Sequence, residues 1–198
     1  MTPQTNLADV ERDKYRRMWE KPIYHLSSPG ERAVPFCLQH VRMQPGDTVL
    51  DAGAGSGRGS VRLAQAGLAV TMLDFCQSAV EPDAQHLPYM DAVLWDLPPL
   101  RFDWVYCVDV LEHIPTEQVD AVLDGLARSA TKGTFLQICC VEDSCGATIG
   151  EVLHLTIRPS SWWREKVLAR FSEVVDLSYG CYAIFATGSQ LRETPHDK

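Results

Sequence analysis

Hydrophobic and polar positions along this chain follow two different periods. Short runs that are apolar almost throughout recur between residues 48 and 187, as expected for strands of a sheet that is covered on both faces. Between these runs, apolar residues stand at helical spacing, as at Val119, Val122, Leu123 and Leu126. Strands that alternate with helices predict an α/β fold with a single doubly wound, mostly parallel sheet.

Seven strands are predicted from the apolar runs. They are expected at residues 48–52, 69–75, 92–96, 104–110, 134–140, 173–179 and 182–187. The last two are joined by a short turn, so we expect an antiparallel pair at the end of the sheet. Only residues 76–91 separate the second strand from the third, with Pro82 and Pro88 among them. A full crossover helix barely fits there, which predicts a trimmed connection with one short helical turn near residues 78–85.

Two helices are predicted ahead of the first strand. Asn6 can cap a helix over residues 6–20. The run Ser28-Pro29-Gly30-Glu31 has the pattern of a capping box that opens a second helix. We expect Pro35 to kink this second helix or to delay its start.

The first strand leads into a glycine-rich segment, residues 49–60, with the sequence VLDAGAGSGRGS. Glycine lets a ligand approach the main chain, and the helix that follows offers free N–H groups. A dinucleotide fingerprint fails in both registers, because Arg58 or Ser60 stands where the third glycine is required, and the lysine of a P-loop is missing. The carboxylate of Asp51 favours a ligand that carries amine or hydroxyl donors.

Carboxylates recur where predicted strands end. Asp51, Asp74, Asp96 and Asp109 all stand at or near such ends. The carboxyl ends of parallel strands form the edge of a sheet at which ligands bind, so these acids are expected to line one site. Asp74 can accept both hydroxyls of a ribose, which is also common in NAD enzymes, and Phe75 can pack on an adenine.

The pattern Asp51-x-Gly53-x-Gly55-x-Gly57 resembles motif I of the class I S-adenosylmethionine (SAM) methyltransferases. This resemblance implies that the glycines pass under the methionine part of SAM and that the acid lies near its amino group. Asp74 resembles motif II of the same enzymes.

Two further segments extend the resemblance to about residues 34–140. The run Trp95-Asp96-Leu97 resembles the pair that receives the adenine amine and a neighbouring backbone contact. Residues 102–115, FDWVYCVDVLEHIP, resemble the strand-four region of small-molecule methyltransferases related to ubiquinone and menaquinone biosynthesis enzymes. They do not resemble the Asp/Asn-Pro-Pro-Tyr/Phe pattern of base-methylating enzymes.

The resemblance implies a Rossmann-like methyltransferase fold and an enzyme that uses SAM, with S-adenosylhomocysteine (SAH) as product. The acceptor is then a small molecule, with O- or C-methylation favoured over N-methylation. The predicted cofactor-binding residues are Asp51, Gly53, Gly55, Gly57, Asp74, Phe75, Asp96, Leu97 and Asp109.

Two histidines are candidates for a general base, which such a reaction uses when the acceptor is a hydroxyl, a phenol or an acidic carbon. His113 follows the fourth strand and His154 follows the fifth. For each, a purely structural role remains an alternative. The candidate acceptor-binding residues are Tyr15, Trp19 and Tyr24 in the N-terminal segment and Trp162 beyond the fifth strand.

Composition narrows the partners and the compartment. With 26 acidic and 18 basic residues the net charge is −8, which disfavours nucleic acid. The chain has an odd number of cysteines, seven, without a C-x-x-C pair, which fits a reducing cytoplasm. Cys139, Cys140, Cys145 and His154 lack zinc-like spacing, so no metal is predicted. Without an apolar run of spanning length or a leader-like segment, we expect no membrane span and no secretion signal.

We therefore expect one SAM-binding domain over residues 1–198. Within it, residues 1–28 form a helical lid, residues 48–140 the cofactor-binding core and residues 141–165 an insertion on the acceptor side. A homodimer is left open. The alternatives are a SAM-binding regulatory or partner subunit without turnover, and a methyltransferase that acts on protein or RNA.

Overall fold

The computed structural model describes residues 6–188, so the ends of the predicted domain, 1–5 and 189–198, lie outside the described residues. Among the described residues, seven strands form one sheet. They are β1 (Thr48–Ala52), β2 (Ala69–Asp74), β3 (Tyr89–Asp91), β4 (Phe102–Val108), β5 (Ala130–Cys139), β6 (Val175–Asp176) and β7 (Tyr182–Thr187). Their order is β3-β2-β1-β4-β5-β7-β6, in which β5–β7 and β6–β7 pair antiparallel and the rest parallel. This confirms the predicted fold class.

Five helices accompany the sheet in the described chain: α1 (Leu7–Trp19), α2 (Pro29–His40), α3 (Arg58–Gln65), α4 (Val119–Ser129) and α5 (Ser160–Leu168). The Asn6 side chain accepts a hydrogen bond from the Ala8 N–H, and Ser28 Oγ accepts one from the Glu31 N–H, as the capping patterns predicted. Pro35 lies within α2, whose start is not delayed.

Apolar side chains cover both faces of the sheet. On one face, Leu123 of α4 and Trp163 of α5 are fully buried against strand residues such as Leu50. On the other face, Val34 of α2 and Leu63 of α3 pack with the opposite residues of the same strands. Burial on both sides explains why the central strands are nearly continuous apolar runs.

The third strand differs from its prediction. The apolar run at 92–96 is not a strand: Leu94–Asp96 forms a 3₁₀ turn, and Leu94 is buried beneath the sheet edge. The strand is Tyr89–Asp91, fixed by pairing with Met72–Asp74 of β2. The apolar run identified residues that pack into the core. The edge strand is instead defined by its backbone hydrogen bonds to β2, which a hydrophobicity pattern does not report.

Other boundaries shift by smaller amounts. The trimmed connection after β2 contains two 3₁₀ turns, Gln77–Ala79 and Pro82–Ala84, in place of the single turn that was predicted. The predicted strand at 173–179 shortens to Val175–Asp176, followed by an isolated bridge between Tyr179 and Tyr182. Among residues 6–188, no helix has the length and apolar character that crossing a membrane requires.

Candidate functional site

The glycine loop after β1 separates two cavities at the carboxyl ends of the parallel strands. The first, here called the aromatic cavity, has a volume of about 100 Å³. It is lined by Glu11, Tyr15, Trp19, Tyr24, Gly53, Gly55, Asp74, Phe75, Ala92, Leu94, Trp95, Asp109, Val110, His113 and Ile114.

The second, here called the acidic cavity, has a volume of about 210 Å³. Its lining includes Asp51, Asp109, Asp143, His113, His154, Cys145 and several residues of the 27–30 and 53–59 segments. Six residues line both cavities: Trp19, Tyr24, Gly53, Gly55, Asp109 and His113. The two cavities therefore meet at the glycine loop and at Asp109.

The glycine loop is fixed by hydrogen bonds to the neighbouring strand. The Gly53 N–H donates to the Leu73 carbonyl (2.8 Å), and the Gly55 N–H donates to Asp74 Oδ2 (2.9 Å). Gly55 has φ +51°, and a Cβ placed on it would lie 2.8 Å from Cζ2 of Trp19. Both the backbone conformation and the contact with α1 therefore require glycine at this position.

Asp51 is the last residue but one of β1, immediately before the glycine loop. Its Oδ2 accepts a hydrogen bond from Ser60 Oγ at 2.5 Å. Burial raises the pKa of Asp51 to about 7, the Ser60 bond opposes this, and the nearby Asp74 adds to it. Asp51 lines the acidic cavity, where a cationic group would stabilise its charged form.

Asp74 ends β2 and lines the aromatic cavity. Its two oxygens accept hydrogen bonds from the Gly55 and Cys76 N–H groups, at 2.9 and 2.8 Å. Burial raises the pKa of Asp74, although these backbone bonds oppose the shift. Phe75 lies beside it, with its ring 5.7 Å from the ring of Tyr15. Strand end and loop are therefore held together by this carboxylate.

Asp109 follows β4 in a strained conformation, with φ +55°. Within residues 6–188 its Oδ1 is buried without a hydrogen-bond partner, and so is Oε2 of Glu112. The other oxygen of Glu112, Oε1, accepts from the Cys139 N–H at 2.9 Å. Burial raises the pKa of both carboxyl groups.

His113 lies between α1 and the segment after β5. Its Nδ1 is 2.6 Å from the Tyr15 hydroxyl and 3.2 Å from the Leu153 carbonyl. Burial lowers the pKa of His113 to about 3, with a further contribution from His154, whose ring centroid is 4.7 Å away. The imidazole is therefore neutral near neutral pH.

His154 lines the acidic cavity only. Its Nδ1 lies 2.6 Å from the Val141 carbonyl, which only accepts, so Nδ1 is the donor of this bond; in the neutral imidazole Nε2 is then the acceptor nitrogen. Side-chain ligand atoms of His154, Glu112 and Cys139 lie within 4.8 Å of one another. This group shares Cys139 and His154 with the set considered in the sequence, but has Glu112 in place of Cys140 and Cys145. Burial raises the pKa of the Cys139 thiol to about 11, so a metal would have to displace its proton.

Four predicted site residues lie off the lining of both cavities. Gly57 is the N-cap residue of α3, and a Cβ placed on it would lie 2.5 Å from Cβ of Ala84. Asp96 is exposed, and Leu97 packs near Gly125 of α4. Trp162 stands in α5, with its ring 4.9 Å from that of Trp163 and the Lys166 ammonium 4.9 Å above it.

Several lining residues were absent from the sequence prediction. Trp95 and Ala92 face the aromatic cavity beside the predicted Asp96–Leu97 pair. Glu11 comes from α1, where it forms a buried ion pair with Lys14 at 2.6 Å. Asp143 comes from the loop after β5. The helical spacing of Glu11 and Tyr15 was the one available signal, since both stand on one face of α1.

Residues 49–133 match the family model described as "Methyltransferase domain". Among curated relatives, magnesium-protoporphyrin O-methyltransferase of Synechocystis is 37% identical over 101 residues, 46% of this chain and 44% of that protein. Ubiquinone biosynthesis O-methyltransferase of Azotobacter vinelandii is 32% identical over 116 residues, 50% of this chain and 47% of that protein. The chain thus spans about half the length of these relatives.

Solved structures agree in fold over nearly the whole chain. Magnesium protoporphyrin IX methyltransferase of Synechocystis, crystallised with SAM, superposes with a TM-score of 0.57 at 22% identity, covering 98% of this chain and 87% of that chain. 1,6-Didemethyltoxoflavin-N1-methyltransferase of Burkholderia thailandensis gives a TM-score of 0.68 at 18% identity, covering 95% and 92%. At these identities the likeness concerns the fold.

Proposed function

We propose that this chain is a class I SAM-dependent methyltransferase that transfers a methyl group from SAM to a small-molecule acceptor, which the match of residues 49–133 to the methyltransferase-domain model supports. The family is the one that the sequence motifs predicted. The observation that supports the proposal most is the position of the glycine loop, which lines two adjoining cavities together with Asp51 and Asp74.

The residues that line the two cavities fit SAM. Asp51 would hold its ammonium group and Asp74 its ribose hydroxyls, because Asp51 is buried, Asp74 is half-buried, and neither has a cationic partner among residues 6–188. Phe75 and Trp95 offer aromatic faces for the adenine. When bound, SAM supplies a methyl group made electrophilic by its sulfonium. Gly57, Asp96 and Leu97 stay predictions, since they lie outside the lining.

Two histidines are candidates for the general base on the acceptor side of the site. We propose that His154 receives the acceptor proton, since its Nε2 is free to accept and it lines the acidic cavity. His113 remains a candidate, although its Nδ1 is engaged with the Tyr15 hydroxyl. Tyr15, Trp19 and Tyr24 would close the site, because all three belong to the N-terminal segment and line the aromatic cavity. Trp162 stays a prediction.

The segment assignments remain part of the proposal: residues 1–28 as a lid, 48–140 as the cofactor core and 141–165 as the acceptor-side insertion of a single domain. Contact between Trp19 and the Gly55 backbone supports the lid. Residues His154 and Asp143 support the insertion, because both line the acidic cavity.

We also propose a cytoplasmic protein that does not methylate nucleic acid. All seven cysteines are free thiols, which fits a reducing compartment. The net charge of −8 disfavours a polyanionic substrate. A homodimer stays a prediction, which sedimentation velocity checks.

Calorimetric titration tests cofactor binding. We expect heat with SAM and with SAH, and none with NAD. The Asp74→Ala variant should bind SAH at least about tenfold more weakly, because it loses a charged acceptor worth roughly 1.5–3 kcal/mol. The matched control is Asp83→Ala, an exposed aspartate in the same β2–β3 connection, which should bind like the unaltered protein. Heat with NAD but not with SAM or SAH would overturn the proposal.

Transfer of labelled methyl groups to a panel of small acceptors separates an enzyme from a subunit without turnover. An enzyme gives labelled product with at least one acceptor. Binding of SAH without transfer to any small molecule, protein or RNA would favour the regulatory alternative, which none of the comparisons favours.

A further inference from the structure

Arg58 is the first residue of α3, directly after the glycine loop. In the sequence it stands where a dinucleotide fingerprint would place its third glycine. The N-terminus of a helix carries partial positive charge, so a cation is disfavoured at this position. Arg58 also lines neither cavity, and the proposed cofactor contacts therefore do not explain it. A residue that goes against its local preference in this way indicates a requirement set by the tertiary structure.

The Arg58 side chain joins two segments that are distant in sequence. Its Nε donates to Glu81 Oε2 in the β2–β3 connection (2.8 Å), and its Nη1 donates to the carbonyl of His25 (3.0 Å). The Glu81 N–H in turn donates to the carbonyl of Ser56 in the glycine loop (3.0 Å). The side chains of Arg58 and Glu81 are 34% and 25% exposed, so water and salt screen this pair less than a fully exposed one.

His25 belongs to a 3₁₀ turn, Pro22–Leu26, that follows α1. None of the five residues of this turn is buried, and the side chain of Leu26 is among the most exposed apolar ones in the described chain. Hydrophobic packing therefore contributes little to the position of the turn. Its position depends instead on polar contacts, of which the bond from Arg58 to the His25 carbonyl is one.

The same turn carries part of the wall of the site. Tyr24 lines both cavities, and so does Trp19 at the end of α1. The ring centroids of Trp19 and Tyr24 lie 4.7 Å apart, and His25 Nε2 donates to the Trp19 carbonyl (2.7 Å). The side chain of Arg58 is therefore connected to the aromatic wall of the site through His25.

We propose that Arg58 is a positioning residue for the cofactor. By holding Glu81 and the His25 carbonyl together, it fixes the 22–26 turn and keeps Trp19 and Tyr24 at the site. This inference rests on the proposed function and deepens it, because the affinity for the cofactor then depends on a side chain outside the two cavities.

Two variants test the pair from either side: Arg58→Gln and Glu81→Gln. Each should bind SAH at least about fivefold more weakly in calorimetric titration, which corresponds to about 1 kcal/mol. Arg58→Lys should recover part of the affinity, because an ammonium group can pair with Glu81 but lacks the planar fork that reaches both partners.

Arg62→Gln is the matched control. Arg62 lies on the same helix, and its ion-pair partner is Glu31 of α2 at 3.8 Å rather than a residue of the turn or of the β2–β3 connection. The variant removes the same charge and should bind SAH like the unaltered protein.

Hydrogen exchange and thermal unfolding distinguish positioning from general destabilisation. In Arg58→Gln without SAH, the amides of residues 19–26 should exchange severalfold faster, while those of β1 keep their protection. The melting temperature should stay within about 3 °C of that of the unaltered protein, because partly exposed ion pairs contribute little to stability.

The outcomes separate the two proposals. Absence of SAH binding by the unaltered protein overturns the proposed function. If SAH binds, but equally well to Arg58→Gln, the role of Arg58 is overturned while the cofactor assignment stands. The same holds if Arg62→Gln loses as much affinity, or if β1 loses protection together with residues 19–26.

Discussion

Several carboxyl groups of this protein lie where their charged form is disfavoured. Burial raises the pKa of Asp51, Asp74, Asp109 and Glu112. The three aspartates line the cavities of the site, and Glu112 precedes His113, which also lines them. A group kept in such surroundings reduces the stability of the ligand-free protein. Clusters of this kind are typical of functional sites, because a bound cation or donor stabilises the charged form.

Asp51 leads to a pH prediction at the residue scale. Its pKa is about 7 in the folded chain, against its ordinary value of 3.8. Between about pH 4 and pH 7 the folded chain keeps a proton that the unfolded chain has released, so the free energy of unfolding falls as pH rises through this window. In Asp51→Asn, the free energy of unfolding should therefore fall less steeply with pH than in the unaltered protein, because the variant lacks the contribution of Asp51.

The measurement is urea denaturation at about pH 5 and about pH 8, below and above the folded pKa. The contributions of Asp74, Asp109 and Glu112 remain in the variant, so the difference between the two proteins reports Asp51. Asp83→Asn, an exposed aspartate, serves as the control. An equal pH dependence in Asp51→Asn and the unaltered protein would show that Asp51 ionises normally.

At the scale of elements, α1 and the glycine loop form one contact. Trp19 packs on the backbone of Gly55, and the Tyr15 hydroxyl reaches His113 after β4. Arg12 of the same helix pairs with Asp91 of β3 at 2.8 Å. Since the aromatic cavity beneath holds only about 100 Å³, we expect α1 to move outward when a cofactor enters.

Two glycine-to-alanine substitutions distinguish the effect of backbone strain from the effect of the contact between Trp19 and Gly55. Gly55 and Gly180 have φ of +51° and +57°, but only a Cβ at Gly55 meets a side chain, Trp19 at 2.8 Å. Both alanine variants should lose about 1–2 kcal/mol of unfolding free energy from the backbone. Gly55→Ala should in addition bind SAH at least about tenfold more weakly, since the loop can no longer keep its shape under α1.

Thermal unfolding and calorimetric titration of both variants check this pair. Gly180→Ala should bind SAH like the unaltered protein, because residue 180 lies in the exposed turn before β7. Equal SAH affinity in the two variants would contradict the role given to the loop.

At the scale of the whole molecule, one end of the sheet forms the candidate site and the opposite end contributes to stability. The site occupies the carboxyl ends of the parallel strands. At the opposite end, Asp47 accepts hydrogen bonds from Trp104 Nε1 of β4 (2.8 Å) and from the Lys132 ammonium of β5 (2.6 Å). Burial opposes the charge of Asp47, but the bonds from Lys132, Gln44 and Trp104 outweigh it and lower its pKa.

Asp47→Ala tests this division. It should lower the free energy of unfolding by about 2 kcal/mol, because Trp104 Nε1 is left buried without an acceptor. SAH affinity, measured by calorimetry well below the melting temperature, should stay unchanged. The exposed Glu117→Ala provides the comparison for stability. Loss of SAH affinity in Asp47→Ala would show that the two ends are coupled.

Much of the fold followed from local sequence. β1 begins and ends where the apolar run predicted, and the helix caps at Asn6 and Ser28 form as expected. Asp51, Gly53, Gly55, Asp74 and Asp109 line the cavities as a set, because strand ends of a parallel sheet meet at one edge. Such features depend on hydrogen bonds and spacing within a few residues.

Tertiary contacts decided the rest. β3 lies at Tyr89–Asp91 because β2 supplies its partners, and the more apolar run after it turns into the core. Trp162 packs in α5 away from the site, whereas Asp143 of the loop after β5 lines the acidic cavity together with Asp109. Sequence alone determined the type of sheet, the glycine loop and three of the four acids expected to line the site, Asp51, Asp74 and Asp109. Asp96 is exposed and lies off both cavities. Only the folded chain decided which side chains from distant segments face the cavities, because burial and charge there arise from long-range packing.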